Sequence, residues 1–305
     1  MRILHTSDWH IGKRLMGRDR LDEQAAVLDE IVRICETEKV ELVLVAGDIF
    51  DTYLPSAEAE DLFFSKIRAV AGEDRAVLII SGNHDDGVRL SASAPLSEEL
   101  GIYIVGNARK PLPCSSSRRV RPVSSGMGWA VFANDRDEKV FVNTLPYPNE
   151  ARFKEEKSDL PFAERMKKWI DEGEAGNTQH LPSVFLSHIF VAGGVTSESE
   201  REIDLGGARA VPLDALPPSD YIALGHLHKR QHMGRGNCYY SGSPLRYSFD
   251  EADGEKGVKL FDLTARGVEN LRDVPLMSGR RLVRLEADSP ARGEELLDLY
   301  PDALA

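Results

Sequence analysis

Short, unbroken apolar runs alternate with stretches of helical periodicity through the first third of the chain. Arg2 to Thr6 predicts a strand, and Leu21, Ala25, Leu28, Ile31 (or Val32) and Cys35 then mark one face of a helix. Leu42 to Ala46 predicts a second buried strand, Ala57 to Val70 a second helix, and Ala76 to Ile80 a third strand. Strand, helix, strand, helix, strand predicts βαβ units and a parallel or mixed sheet covered on both faces, an α/β fold. The middle of the chain is less regular. Pro111 to Gly128, rich in Pro, Ser and Arg, reads as an exposed loop or hairpin, and Phe162 to about Glu172 as a helix. Strands return at Ser183 to Ser187, Tyr221 to Leu224, Cys238 to Ser241 and Gly257 to Leu263. Near Pro275 the pattern changes: Arg280 to Leu285 predicts a new strand and Gly293 to Tyr300 a new helix. The expected organisation is one domain over 1–275 and the start of a second over 276–305.

Composition changes little in this picture. With 305 residues, 42% of them hydrophobic and 29% charged, the chain has the make-up of an ordinary globular protein. No run of about 18 apolar residues predicts a membrane span, and the amino terminus turns polar too early for a signal peptide. Cys35, Cys114 and Cys238 are scattered and form no CxxC pair, which predicts neither a disulfide framework nor a thiolate zinc site and fits a reducing cytoplasm. A formal net charge of −12 argues against a nucleic-acid partner, whose phosphates are met by Lys and Arg. Binding is local, however, and the acidic surplus gathers on helix faces such as Glu58, Glu60 and Asp61, or Glu155 and Glu156. Basic residues gather in loops: Lys13 and Arg14 with Arg18 and Arg20, Arg118 and Arg119 with Arg121, Lys229 and Arg230 with Arg235. Solvated surface explains these as well as a ligand does, so charge leaves the partner open.

The residues that change the picture stand just past the predicted strands. Asp8 and His10 follow the first, Asp48 and Asp51 the second, Asn83 and His84 the third, His188 a later one, and His226 with His228 another. Ligands of open α/β sheets bind outside the carboxyl ends of the strands, so five strands deliver Asp, Asn and His to one edge. Two divalent ions about 3.5–4 Å apart need several ligands each, and one carboxylate can bridge them. Mixed carboxylate, amide and imidazole donors suit Mn²⁺ or Fe²⁺ better than calcium or a structural thiolate site. Gly47, Gly82 and Gly225, each just before a ligand group, permit sharp turns and close backbone approach. Taken singly these pieces are weak: an Asp-x-His is usually a turn, and Asp48 or Asp51 could cap a helix. Their common position after apolar strands, in this order, points to a two-metal centre.

These groups resemble the calcineurin-like metallophosphoesterase superfamily, whose fold is two mixed β-sheets sandwiched by helices. The stretches from Ile3 to Gly12, Phe190 to Gly194, Ser197 to Arg201 and Tyr240 to Pro244 look more specifically like the SbcD family, nuclease subunits of bacterial SbcCD complexes. That resemblance runs from Met1 to about Val274. It implies one metal on Asp8, His10 and His228 and another on Asn83, His188 and His226, with Asp48 bridging and Mn²⁺ the expected ion. It also implies in-line attack on phosphorus by a hydroxide that the ions make available near neutral pH, with His84, oriented by Asp51, stabilising the transition state or protonating the leaving oxygen. The implied activity is DNA hydrolysis in repair and recombination, as double-strand exonuclease and single-strand endonuclease. Lys13, Arg14, Lys229 and Arg230 are candidate DNA contacts. The family continues into a small α+β DNA-capping domain and helices that bind the SbcC-type ATPase, whereas this sequence stops at Ala305, soon after such a cap would begin. A homodimer through segments around Leu62 to Ile67 and Leu90 to Leu100 is also implied, although their apolar residues could equally be core.

Two competing readings remain. The same centre could act on a small nucleotide or a phosphomonoester, because one fold serves many substrates. A DNA-end tethering protein without catalysis is the other, and it sits poorly with a complete ligand set.

Overall fold

The computed structural model of the chain describes residues 1–107, 110–114, 117–148, 160–200 and 210–300. Glu155, Glu156, Arg201 and the segment 301–305, all part of the expectations above, lie outside them.

The first strand, β1 (Arg2–Thr6), is followed by α1 (Leu21–Thr37), β2 (Leu42–Ala46), α2 (Ala57–Ala71), β3 (Ala76–Ile80) and β4 (Ile102–Val105). β1 to β4 run parallel in chain order. Every residue of β2 and β3 is buried, which is why they read as unbroken apolar runs. Their side chains still alternate: Val43 and Val45 face α1 and α2, while Leu42, Leu44 and Ala46 face the opposite side. β12 (Gly257–Thr264) joins this sheet antiparallel to β1, and β13 (Gly267–Pro275) pairs with β12, giving the order β13-β12-β1-β2-β3-β4.

A second mixed sheet has the order β10-β11-β9-β8-β7-β6-β5. Its strands are β5 (Arg121–Gly126), β6 (Trp129–Ala133), β7 (Lys139–Leu145), β8 (Ser183–His188), β9 (Tyr221–Gly225), β10 (Gln231–His232) and β11 (Cys238–Tyr240). The two sheets stack on an apolar layer in which Ile3, Leu44, Ala46, Leu78 and Ile80 meet Phe132, Val142, Leu186 and Ala223. The far face of the second sheet is covered by the helix Phe162–Glu174, through Met166, Trp169 and Ile170. Helices, sheet, sheet and helix therefore form four layers with three apolar seams.

Two expectations need correction. Arg280 to Leu285 forms no strand: among the described residues no strand runs beside it, and apolar alternation without a hydrogen-bonding partner does not make one. The helix expected at Gly293 to Tyr300 is Pro290–Asp298, because Ser289 caps it by accepting from Arg292 N and Pro290 fits its first turn. The stretch from Pro111 to Gly128 is only partly loop, since Arg121–Gly126 pairs with β6 as one arm of a hairpin. α2 is capped by Ser56, whose side chain accepts from Ala59 N, so Asp51 has no capping role there.

Phe63 ties α2 to the sheet: it is fully buried and meets Phe50 edge to face at 5.2 Å. Phe63→Ala should cost about 3–5 kcal/mol of unfolding free energy in a urea titration. A loss below about 1 kcal/mol would show that this seam collapses around the cavity and is not the tight packing described.

Candidate metal centre

The loops that follow β1, β2, β3, β8 and β9 converge at one end of the sandwich. β1 and β2 do not part company when they end. Asp8 N donates to Gly47 O at 3.0 Å, His10 N to Asp48 O at 3.0 Å and Ile11 N to Ile49 O at 2.9 Å, which continues their pairing into both loops. The backbone is strained where this happens. Asp8, His10, Asp48 and His226 have φ of 54°, 44°, 51° and 107°, the left-handed region that non-glycine residues seldom occupy. Such conformations cost of order 1–3 kcal/mol each and persist where the surroundings impose them.

Seven side chains that sequence reasoning nominated as ligands meet here, each at most 3% exposed: Asp8, His10, Asp48, Asn83, His188, His226 and His228. His10 Nε2 and His228 Nε2 lie 3.0 Å apart. On the other side Asn83 Oδ1 is 2.8 Å from His188 Nε2 and 3.0 Å from His226 Nδ1, and His226 Nε2 has no hydrogen-bond partner among the described residues. Between the two groups stands Asp48, whose Oδ2 is 3.5 Å from His10 Nε2 and 3.4 Å from His188 Nε2. Divalent ions with bonds of about 2.1 Å and octahedral angles place neighbouring donors about 3 Å apart, so this spacing fits two ions sharing one carboxylate. Asp8, His10 and His228 form one candidate metal group, and Asp8, Asp48 and His188 another.

Charge in the cleft is concentrated on Asp48 and His188. Burial alone would lower the His188 pKa, but the Asp48 carboxylate outweighs it and raises it to about 9. Burial would likewise raise Asp48, yet His188 and His84 hold it well below the usual carboxylate range. Burial lowers His10 and His226 to about 3, leaving both neutral, and pushes Asp8 up to about 6 against the pull of His188 and His228. Neutral imidazoles beside carboxylates are the protonation states a cation requires.

Two glycines make the approach possible. A Cβ on Gly225 would lie 1.8 Å from Ala46 O and 2.9 Å from His188 Nδ1, and one on Gly82 would lie 2.1 Å from Asp48 Oδ1. The carbonyl so approached, Ala46 O, accepts from His188 Nδ1 at 2.7 Å and thereby turns Nε2 into the cleft.

His84 sits beside the cluster. Its amide donates to Asp48 Oδ1 at 2.8 Å and its Nδ1 to the main-chain oxygen of Asp51 at 2.7 Å. The Asp51 carboxylate, expected to orient His84, is 3.8 Å from His84 Nδ1 and nearer to His10 Nδ1, at 3.4 Å, and Lys13 Nζ, at 3.0 Å. Asp51 therefore holds His84 through its backbone. Its side chain, held below the usual carboxylate range by His10 and Lys13 despite burial, faces His10. Of the candidate DNA contacts, Lys13 is paired with Asp51, Lys229 with Asp250 at 3.0 Å, and Arg230 with Glu255 at 3.2 Å. Arg14 Nε bonds the backbone at Gly17 O, 3.0 Å away. All four flank loops that carry nominated ligands.

Sequence reading overlooked Asp85. Buried at 1% exposure, its carboxylate accepts from Ile49 N, Phe50 N and Gly82 N at 3.2, 3.0 and 2.8 Å, and so locks the Asp48 loop to the Asn83 loop. Its place directly after Asn83 and His84 was the available signal.

A family model for calcineurin-like phosphoesterases matches residues 1–230. The SbcD subunit of the nuclease SbcCD from Bacillus subtilis is 40% identical over 94% of this chain and 72% of its own length. Its namesake from Rhodobacter capsulatus is 34% identical over 97% and 74%. The structure of a dimetal phosphatase from Danio rerio aligns with a TM-score of 0.53 at 15% identity, covering 91% of this chain and 99% of that one, a likeness of fold. The chain belongs to the calcineurin-like phosphoesterase family, a class of metal-dependent phosphoesterases. Within that class it is a member of the SbcD family.

Because protons and cations compete for His188, with its pKa near about 9, metal binding at pH 7 should expel a proton. Affinity should therefore rise with pH up to about 9. Calorimetric titrations in two buffers of different ionisation enthalpy measure the release, and a value of zero would remove His188 from the ligand set. Gly225→Ala should weaken metal binding sharply in the same assay, since its methyl must displace Ala46 O or His188.

Proposed function

We infer that this chain is a DNA nuclease that hydrolyses phosphodiesters with two Mn²⁺ ions, as the nuclease component of an SbcCD-type repair complex. The observation that carries the reading is the single Asp48 oxygen standing between two sets of donors, one from each side of the cleft. Asp8, His10 and His228 would hold one ion and Asn83, His188 and His226 the other, with Asp48 within reach of both. When bound, the ions lower the pKa of a coordinated water and offset charge that develops on the phosphoryl oxygens. The chain's own work is orientation and proton transfer. Asp51 O fixes His84 by its Nδ1–H, so Nε2 is left to serve the substrate. In the doubly protonated ring the second proton sits on Nε2 and passes to the leaving oxygen as the P–O bond breaks, leaving the ring neutral with its hydrogen on Nδ1. Lys13, Arg14, Lys229 and Arg230 guide the phosphate backbone past the cleft.

The same reading assigns an SbcC-type ATPase partner, a cytoplasmic location and a homodimer. Among the described residues no helix is long and apolar enough to cross a membrane. Within the two segments named for dimerisation, Phe63, Ile67 and Leu90 belong to the core, whereas Phe64, Leu96 and Leu100 are exposed at 47, 79 and 40%. The exposed set is the surface offered to a second copy. Residues 276–305 belong to a DNA-capping domain distinct from the nuclease domain. Leu276 is the last residue in the core, Glu30 and Glu23 of α1 still accept from the amides of Met277, Ser278 and Arg280, and no residue of the helix Pro290–Asp298 is buried.

End-labelled duplex and single-stranded DNA incubated with Mn²⁺, Mg²⁺ or EDTA tests the nuclease. Cleavage is expected with Mn²⁺ and none in EDTA, with His84→Ala slower by about 10²–10⁴-fold. Intact DNA beside hydrolysis of bis-p-nitrophenyl phosphate would instead assign the centre to a smaller substrate. Leu96→Asp should convert dimer to monomer in light scattering, and a monomeric wild-type protein would exclude the dimer.

A further inference from the structure

The stretch Ser197–Glu200, which supplies no ligand to the centre itself, packs against the back of His228. Glu200 Oε1 accepts from His228 N at 2.7 Å, and Glu200 Oε2 accepts from Ser197 N. Ser199 Oγ lies 2.5 Å from His228 Nδ1 and donates to Glu251 Oε1 at 2.5 Å. Ser197 Oγ, 2.9 Å from Ser199 Oγ and 3.4 Å from Glu251 Oε1, backs the same contact. Glu251, 2% exposed, comes from a separate loop, where Ser248 Oγ donates to its Oε1 at 2.8 Å and Lys256 Nζ to its Oε2 at 2.5 Å. Lys256 also reaches His228 O at 3.0 Å, so the ammonium grips both ends of the relay.

The direction of the protons follows from counting them. An ionised carboxylate only accepts, and a serine hydroxyl has one hydrogen. Both Glu251 oxygens are acceptors, Oε1 from Ser248 and Oε2 from Lys256, so the Ser199 hydrogen points to Glu251 Oε1. Ser199 Oγ can then only accept from His228, which places the ring hydrogen on Nδ1. In the neutral ring Nε2 is then a bare lone pair, and it is Nε2 that lies 3.0 Å from His10 Nε2 in the Asp8, His10, His228 group.

We propose that Ser199 and Glu251 are positioning residues, a hydroxyl-bridged carboxylate relay that fixes the tautomer and ring angle of His228 and so tunes one of the two metal positions. Ligating histidines commonly donate their second nitrogen to a carboxylate directly, and here a serine extends the reach. His228 Nδ1 and Glu251 Oε1 are 3.7 Å apart, too far for a direct bond, and the serine fills that gap. The proposal rests on the two-metal reading, and it adds that the position holding His228 depends on a loop outside the strand ends.

The test is a Mn²⁺ titration by calorimetry and electron paramagnetic resonance of the wild-type protein, Ser199→Ala, Ser199→Thr and Glu251→Gln. Ser199→Ala and Glu251→Gln should weaken one of the two binding steps by about 10–100-fold and leave the other within about three-fold. The exchange-coupled spectrum of an ion pair should give way to that of an isolated ion, and Ser199→Thr, which keeps the hydroxyl, should restore the pair. Both steps unchanged, or both falling together as a general loosening would cause, overturns the relay. Metal-free wild-type protein labelled with ¹⁵N-histidine gives an answer that needs no variant. His228 should carry its hydrogen on Nδ1, and a hydrogen on Nε2 overturns the assignment. Wild-type protein that takes up no Mn²⁺ would sink the two-metal reading, while the nitrogen spectrum would still judge the relay.

Discussion

A carboxylate shut between imidazoles from two different sheets is tolerated only where positive charge meets it, because an unpaired buried anion costs several kcal/mol. Asp48 is such a group: neutral His10 of the first sheet stands on one side, and His188 of the second, whose pKa it raises, supplies the charge on the other. The geometry around it follows from that requirement. The parallel strands of both sheets must end at one rim, so that their loops deliver Asp8, Asp48 and Asn83 opposite His188, His226 and His228. The sheets must stack closely enough for Ala46 O to reach His188 Nδ1, which requires the bare backbone of Gly225 beside it. Four left-handed non-glycine residues are the local strain this convergence entails, and the three apolar seams supply the burial that offsets it.

Around Asp48, other buried acids serve as acceptors for backbone and hydroxyl groups. Asp85 holds three amides of two loops, Glu200 holds His228 by its amide, and Glu251 is tied to Lys256 and Ser199. Part of the acidic surplus is therefore interior scaffolding of the centre, not surface that would repel a phosphate backbone. The net charge of −12 is a poor guide to the partner for this reason. Basic residues near the rim carry acidic neighbours of their own, so any field they present to a ligand is local and short-ranged.

Much was legible along the chain because it depends on neighbours in sequence. β2 and β3 read as unbroken apolar runs, and α1 and α2 as helical stripes, since burial on two faces or one imposes those patterns directly, whereas β4, β6 and β7 went unread although nearly as buried. β13 escaped notice because it lies at a sheet edge with none of its residues buried, and its polar sequence matches that position. Arg280 to Leu285 failed in the opposite sense: it alternates as a strand should, but a strand exists only where another chain segment offers its hydrogen bonds.

The chemistry divides along the same line. Residue type and position after a strand are local properties, and from them the sequence by itself determined which Asp, Asn and His side chains stand at strand ends, and so the kind of cation they suit. Which nitrogen of each imidazole turns inward was decided only by the fold, since that depends on the partner of the other nitrogen. Ala46 O for His188, Asp51 O for His84 and Ser199 for His228 all come from elsewhere in the chain. That Asp51 acts on His84 through its carbonyl, while its carboxylate turns to His10 and Lys13, is likewise invisible to spacing. A one-dimensional pattern can report which groups arrive at a rim. The directions in which their lone pairs point are set by contacts across the two sheets.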